Sequence, residues 1–128
     1  MQGKPKKHNQ DSIIIKPNIK DIKGQYLFGV CDGHGTFGHD VSQFLRRNLP
    51  IYIAEYYVTQ DSGIDDKDRM QFNMREAIYH TNRILERSEI DCNFSGSTMV
   101  LVMIFGSSLV CANIGDSRAV LGQDIGGV

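Results

Sequence analysis

Within three consecutive residues, Asp32, Gly33 and His34, the chain offers a carboxylate, an unencumbered backbone carbonyl and an imidazole. Hard divalent cations take oxygen ligands of the first two kinds. An imidazole titrating near neutrality suits proton transfer. The triplet therefore reads as a corner of a metal-assisted hydrolytic site. A competing pattern overlaps it, because Gly33, Gly35 and Gly38 spell G-x-G-x-x-G between a strand-like run and a helix-like one. In a dinucleotide turn, backbone N–H groups and the following helix N-terminus face a pyrophosphate. Asp32, directly before the first glycine, would aim a negative charge at that anion, and His34 adds bulk where close backbone approach is needed. Glu55, the distant acid at a plausible spacing, would have to end a parallel strand immediately after a helix broken by Pro50. Asp32 decides against the nucleotide reading.

The elements that must hold this corner are legible from periodicity. Ser12–Lys16 is rich in β-branched residues and ends at Pro17, which predicts a strand that stops where a backbone donor is lost. Tyr26–Cys31 is apolar enough for a second, buried strand. Val41, Phe44, Leu45 and Leu49 recur at helical spacing and predict a helix from about Phe37 to Leu49, which Pro50 then breaks or restarts. A loop from Gln60 to Lys67 carries N-cap candidates at Asp65 and Asp66. Met70, Met74, Ala77, Ile78, Thr81, Ile84 and Leu85 trace a second amphipathic helix, whose methionines read as core filler. In Thr98–Phe105 both parities are apolar, so a strand covered on both faces is expected. Gly106–Ser108 turns it into Leu109–Asn113, and Gly115-Asp116 into a further strand, Ser117–Leu121. Strands, then helices, then an antiparallel meander make an α+β order.

Composition sets outer bounds. At 128 residues the chain is at most one small domain, and its 41% hydrophobic and 23% charged content is that of a globular protein. Lys plus Arg number 14 against 15 Asp plus Glu, so no global field recruits nucleic acid or membrane. The local exception is the basic start, Lys4, Lys6, Lys7 and His8, read equally as a solvated terminus or as a phosphate-attracting one. Cys31, Cys92 and Cys111 are odd in number and widely spaced, which indicates neither a disulfide framework nor a zinc site; a cytoplasmic or nuclear location is the expectation. Met99–Phe105 is too short to cross a bilayer.

Three segments, N-Q-D-S at Asn9–Ser12, V-C-D-G-H-G-T-F-G-H at Val30–His39, and S-G-S-T followed by V-C-A-N-I-G-D-S-R-A-V-L-G between Ser95 and Gly122, stand in a telling order and spacing. Together they resemble the metal-dependent type 2C protein serine/threonine phosphatases over nearly the whole chain. The resemblance implies a four-layer αββα sandwich, two mainly antiparallel sheets flanked by helices. It implies hydrolysis of phosphoserine and phosphothreonine in protein substrates, with two Mg2+ or Mn2+ ions and a third, weaker one. Such ions lower the pKa of water and spread positive charge over a phosphoryl group. By the same resemblance Asp32 bridges the two metals, the Gly33 carbonyl completes a coordination shell, and His34 is the general acid. Asp11 matches the aspartate of the family's N-terminal metal motif. The residue before it is often glutamate and here is Gln10, so Asp11 is expected to orient water around the metals. Lys6 stands where many relatives carry a phosphate-binding arginine; lysine keeps the charge and loses the bidentate fork. Asp116 matches an aspartate that helps hold the third ion, and it equally reads as a hairpin-turn residue, with Arg118 pairing to a nearby carboxylate. Ser95–Thr98 is structural, since no base is paired with a serine there. His8, His39 and His80 read as surface or helix-cap residues.

The family's core is longer than this chain, and its second half supplies two further aspartates, in D-G and D-N pairs. Asp124, followed by Ile125, matches neither. Residues 1–128 are thus expected to be the N-terminal portion of a phosphatase domain, inactive alone and monomeric when complete. A catalytically inactive phosphatase-like binding module, or a truncated product, is the alternative.

Overall fold

The computed structural model of the chain describes residues 7–57 and 66–127. Strands β1 (Asp11–Pro17) and β2 (Gln25–His34) are followed by helices α1 (Gly38–Tyr56) and α2 (Asp66–Glu86). The short β3 (Gly96–Ser97), β4 (Met99–Phe105) and β5 (Ser108–Ile114) complete the order. All pairings are antiparallel, the sheet runs β1-β2-β4-β5, and β3 extends the β4 side of β2 toward its end. This is the expected α+β class.

Alternation along the strands sends Ile14, Leu27, Leu101 and Met103 to one face, where α1 and α2 cover them. Leu49 and Ile53 from α1 and Met70, Met74 and Ala77 from α2 close this core. The methionine stripe of α2 is accordingly core, at 1–2% exposure for Met74 and Met70. Burying each such side chain contributes about 1.5–3 kcal/mol.

Four expectations are corrected. Helix α1 runs unbroken through Pro50 to Tyr56. The Arg46 carbonyl that loses its helical partner lies at an exposed residue, within reach of solvent. Strand β2 continues to His34, so Asp32, Gly33 and His34 belong to a strand and not to the turn after it. Ser117–Leu121 forms no strand: Val120 is 85% and Leu121 78% exposed, and no described strand pairs with them. Finally, only one face of β4 is covered along its whole length, although on the other face Val100 is buried at 7%. Beyond Val100, Val102 and Ile104 on that parity are half-buried and continuous with Ile13, Ile15, Tyr26, Phe28 and Val30, which are 40–67% exposed.

This outer sheet face is apolar across three strands, as the inner face of a two-sheet sandwich is. Exposed contiguous apolar surface drives association. The isolated 128-residue chain is therefore expected to self-associate at around 100 µM and to bind a hydrophobic dye, with Phe28→Lys plus Val30→Lys suppressing both. Gel filtration across a concentration series checks this; a wild-type chain that elutes as a monomer throughout would show that the face is not adhesive.

Candidate metal centre

Asp11 opens β1 and Asp32 lies in β2, and the register sets them directly opposite each other. The Gly33 N–H donates to the Gln10 carbonyl at 3.2 Å, which marks Gln10 and Gly33 as a hydrogen-bonded pair. The neighbouring pair, Asp11 and Asp32, is then the non-bonded kind, with Cα atoms about 4.5 Å apart and side chains close together. Cross-strand partners share a face, so both exposed carboxylates leave the sheet on its outer side. Two like charges directly opposite destabilise a strand pair by a few tenths to about 1 kcal/mol. A cation between them removes that cost. With the Gly33 carbonyl the donors are all hard oxygens, which fits magnesium or manganese and not a thiolate-selecting metal.

Local packing explains why the corner forms. A Cβ on Gly33 would press on the backbone carbonyls of Gly38 and Gln10, so only glycine lets β1 and the start of α1 approach on both sides. Gly35 adopts φ +83°, and a side chain there would meet the backbone of Phe94 and Ser95. Gln10 ties the corner together, its Nε2 donating to the Gly35 carbonyl at 2.9 Å while its Oε1 rests where a Gly38 Cβ would go. The sequence departure at Gln10 is thus a structural tie. Ser95 is structural as expected: its hydroxyl accepts the Phe37 N–H at 2.9 Å at the entry to α1.

His34 is two residues beyond Asp32 on the same strand and shares its face. Its ring lies over Gly96, 3.0–3.1 Å from the position of a Cβ there, so Gly96 makes its space. Asp11, Asp32, Gly33 and His34 line one open cleft of about 790 Å³, together with Lys7, His8 and Asn9. Asp116 does not line it. The link to Asp116 runs through Thr98, whose hydroxyl accepts the Asp32 N–H at 3.3 Å and bonds the Ser117 hydroxyl at 2.6 Å. Arg118 makes no ion pair with a described carboxylate. Lys6 and Asp65 lie outside the described residues. Among the described residues no group of three or more His, Cys, Asp and Glu converges.

Sequence reasoning missed Gln10 and Thr98 as positioning residues, and nothing in their types announced it. It also misplaced His80, which packs edge-on against Tyr52 at 4.5 Å, joining α2 to α1. His8 and His39 are exposed, with ring centroids 6.1 Å apart.

The three cysteines are free thiols. Cys31, adjacent to Asp32 but pointing into the core, is fully buried, and burial pushes its thiol from 9.0 up to about 11. A raised pKa means the folded state holds the proton more tightly, so this contribution to stability is intact below pH 9 and is lost as pH rises toward 11. Exposed Cys111 is expected to react with iodoacetamide at pH 8 at least about a hundredfold faster than Cys31, with Cys92 between them. Mass spectrometry of timed aliquots checks the order; early labelling of Cys31 in folded protein would place it outside the core.

An antiparallel sheet with both helices on one face is shared with solved serine/threonine phosphatases. A PPM Ser-Thr phosphatase from Mycobacterium smegmatis, crystallised with cacodylate, superposes with a TM-score of 0.57 at 26% identity, over 91% of this chain and 44% of that one. A bacterial serine phosphatase at 22% identity shares the fold, with a TM-score of 0.56 over 88% of this chain and 49% of that one. The chain belongs to the protein phosphatase 2C family, whose pattern matches residues 2–128. Relatives include "Probable protein phosphatase 2C 35" of Arabidopsis thaliana, 34% identical over 91% of this chain and 32% of its own length. "Probable protein phosphatase 2C 64" of Oryza sativa subsp. japonica is 37% identical, over 90% of this chain and 27% of its own length. The chain thus spans about a third of the length of these relatives.

Proposed function

We propose that the chain forms the N-terminal part of a domain that hydrolyses phosphoserine and phosphothreonine in proteins with the help of Mg2+ or Mn2+. The observation that carries the reading is the cross-strand placement of Asp11 opposite Asp32, on the same face as His34 and in one polar cleft. Family membership supports the phosphatase class.

Asp32, Asp11 and the Gly33 carbonyl would hold the ions, and Asp116 a further one at the edge of the site. When bound, two such ions supply a nucleophile at neutral pH and positive charge for the phosphoryl oxygens. The chain's own residues do the remaining work. Asp32 is fixed by its backbone bonds to Thr98, with the Thr98 N–H donating to the Asp32 carbonyl at 2.9 Å and the Thr98 hydroxyl accepting its N–H. The strand backbone from which its carboxylate projects is therefore held in place. His34, held over Gly96, delivers a proton to the seryl or threonyl oxygen as the P–O bond breaks. Lys7, at the rim of the cleft, and Lys6 beside it in sequence bring positive charge to an arriving phosphate.

His34→Gln tests the assignment. Placed in the complete domain, the variant is expected to hydrolyse a phosphoseryl peptide about 100- to 1000-fold more slowly, because the alkoxide must leave unprotonated. Loss on an aryl phosphate, whose leaving group departs unaided, should be under about tenfold. Manganese affinity should stay within about twofold. Equal losses on both substrates, or weakened metal binding, would move His34 from proton donor to ligand. Two facing carboxylates alone make a sparse metal site, which leaves a non-catalytic binding module as the second reading. Metal-dependent release of phosphate from the phosphopeptide separates the two.

A further inference from the structure

Among the described strands β1 lies at the sheet edge, and no described strand pairs with its outward row. The hydrogen-bonded pairing of Gln10 with Gly33 assigns Ser12, Ile14 and Lys16 to the ladder with β2. The N–H and C=O groups of Ile13 and Ile15 therefore point away from the sheet, and no described group bonds them. Pro17 fits the same geometry, since the N–H it lacks would point outward. At the start of the row the Asp11 N–H is already taken by the Asn9 side chain at 3.0 Å.

Helix α1 overhangs this edge and turns it into a groove of about 880 Å³, walled by Pro50, Ile51 and Ala54. Four cations ring it, Lys16, Lys20, Arg46 and Arg47, against the single carboxylate of Glu55. All four are exposed, and none makes an ion pair with a described carboxylate. Among the described residues, Lys20 and Arg47 donate to the backbone carbonyls of Tyr57 and Gln43, at 2.8 and 3.2 Å.

We propose that this groove takes an extended, acidic protein segment, which pairs with Ile13 and Ile15 as an additional strand. Main-chain bonds to an open edge supply affinity in such an arrangement, and side-chain pockets on alternate positions supply selectivity. Charge selects the occupant. A second copy of this chain would bring two sets of four cations together, whereas alternating acids on a guest strand meet them in turn. Nucleic acid is a poorer fit, because the groove contains no aromatic side chain on which bases could stack. The proposal does not depend on hydrolysis, and its test measures binding alone.

The test uses the full chain at nanomolar concentration, below any self-association, carrying a dye on exposed Cys111. A ten-residue peptide alternating valine with glutamate is titrated against it by thermophoresis. Micromolar binding is expected, weakened about tenfold or more by Arg46→Glu plus Arg47→Glu and by a rise in salt from about 0.05 to 0.5 M. Methylating the peptide nitrogens on one edge should abolish it, an arm that requires no change to the protein. Undiminished binding of the methylated peptide would overturn strand pairing. Equal or tighter binding of a ten-nucleotide single strand or of phosphatidylserine vesicles, or no peptide binding at about 1 mM, would overturn the proposed occupant.

Discussion

In the complete domain, Asp32→Asn is expected to lower phosphopeptide hydrolysis at least about a thousandfold, some 4 kcal/mol of barrier, while the protein folds as well as before or slightly better. Both halves follow from one placement. Asp32 faces Asp11 across a non-bonded strand pair on an exposed face, so removing its charge relieves a like-charge contact worth a few tenths to about 1 kcal/mol. The amide keeps the shape, and the backbone bonds to Thr98 are untouched. In the proposed site, the carboxylate lost is one that would hold a divalent cation against its partner. A readout independent of activity follows. Manganese should raise the melting temperature of the wild type, because a ligand that binds only the folded state stabilises it, and should leave the variant's melt where it was. Retained turnover in an intact fold, or an unchanged manganese shift, would take Asp32 out of the metal site.

How far the sequence anticipates this site depends on which interactions each residue makes. Asp32, Gly33 and His34 were legible because their chemistry is carried by type and by adjacency in one strand. Asp11 was legible only through resemblance, since its partnership with Asp32 is created by the β1–β2 register and no local pattern states a register. The helices were read correctly in their faces, because Met70, Met74, Ala77 and Thr81 repeat at the spacing that burial demands. The length of α1 was not, because Pro50 is a breaker by propensity and is overridden here by Ile53 and Leu49, both fully buried on either side of it. The missing strand at Ser117–Leu121 shows the converse. Its residues have strand character, but among the described residues nothing pairs with them, and β-propensity without a neighbour builds no strand. Gln10 and Thr98 lay beyond sequence reasoning for a different reason: their roles are hydrogen bonds to residues 25 and 66 positions away.

Gly33→Ala is the change expected to damage fold and site together. Its Cβ would fall 2.7 Å from the Gln10 carbonyl oxygen and closer still to that of Gly38, and both obstacles are backbone. No rotamer can relieve them, so either the start of β1 or the first turn of α1 must move. Forced overpacking of this kind costs about 1–3 kcal/mol and more where the neighbours are rigid, which for a chain of this size lowers the melting temperature by roughly 10 °C. The displaced elements are those that carry Asp11 and the Gln10 tie to Gly35, so metal response and phosphopeptide hydrolysis should fall with stability. Gly122→Ala supplies the contrast, since nothing lies within 4 Å of a Cβ there, and it is expected to leave the melt unchanged. Gly24→Ala separates space from conformation: it too has nothing within 4 Å, but its φ of +81° penalises a side chain by about 1 kcal/mol. The order of melting temperatures should therefore be Gly122→Ala, Gly24→Ala, Gly33→Ala, highest first. A Gly33→Ala protein that melts with the wild type and keeps its manganese response would mean that β1 and α1 do not close on β2 as described, and with that the facing of Asp11 and Asp32 would lose its structural basis.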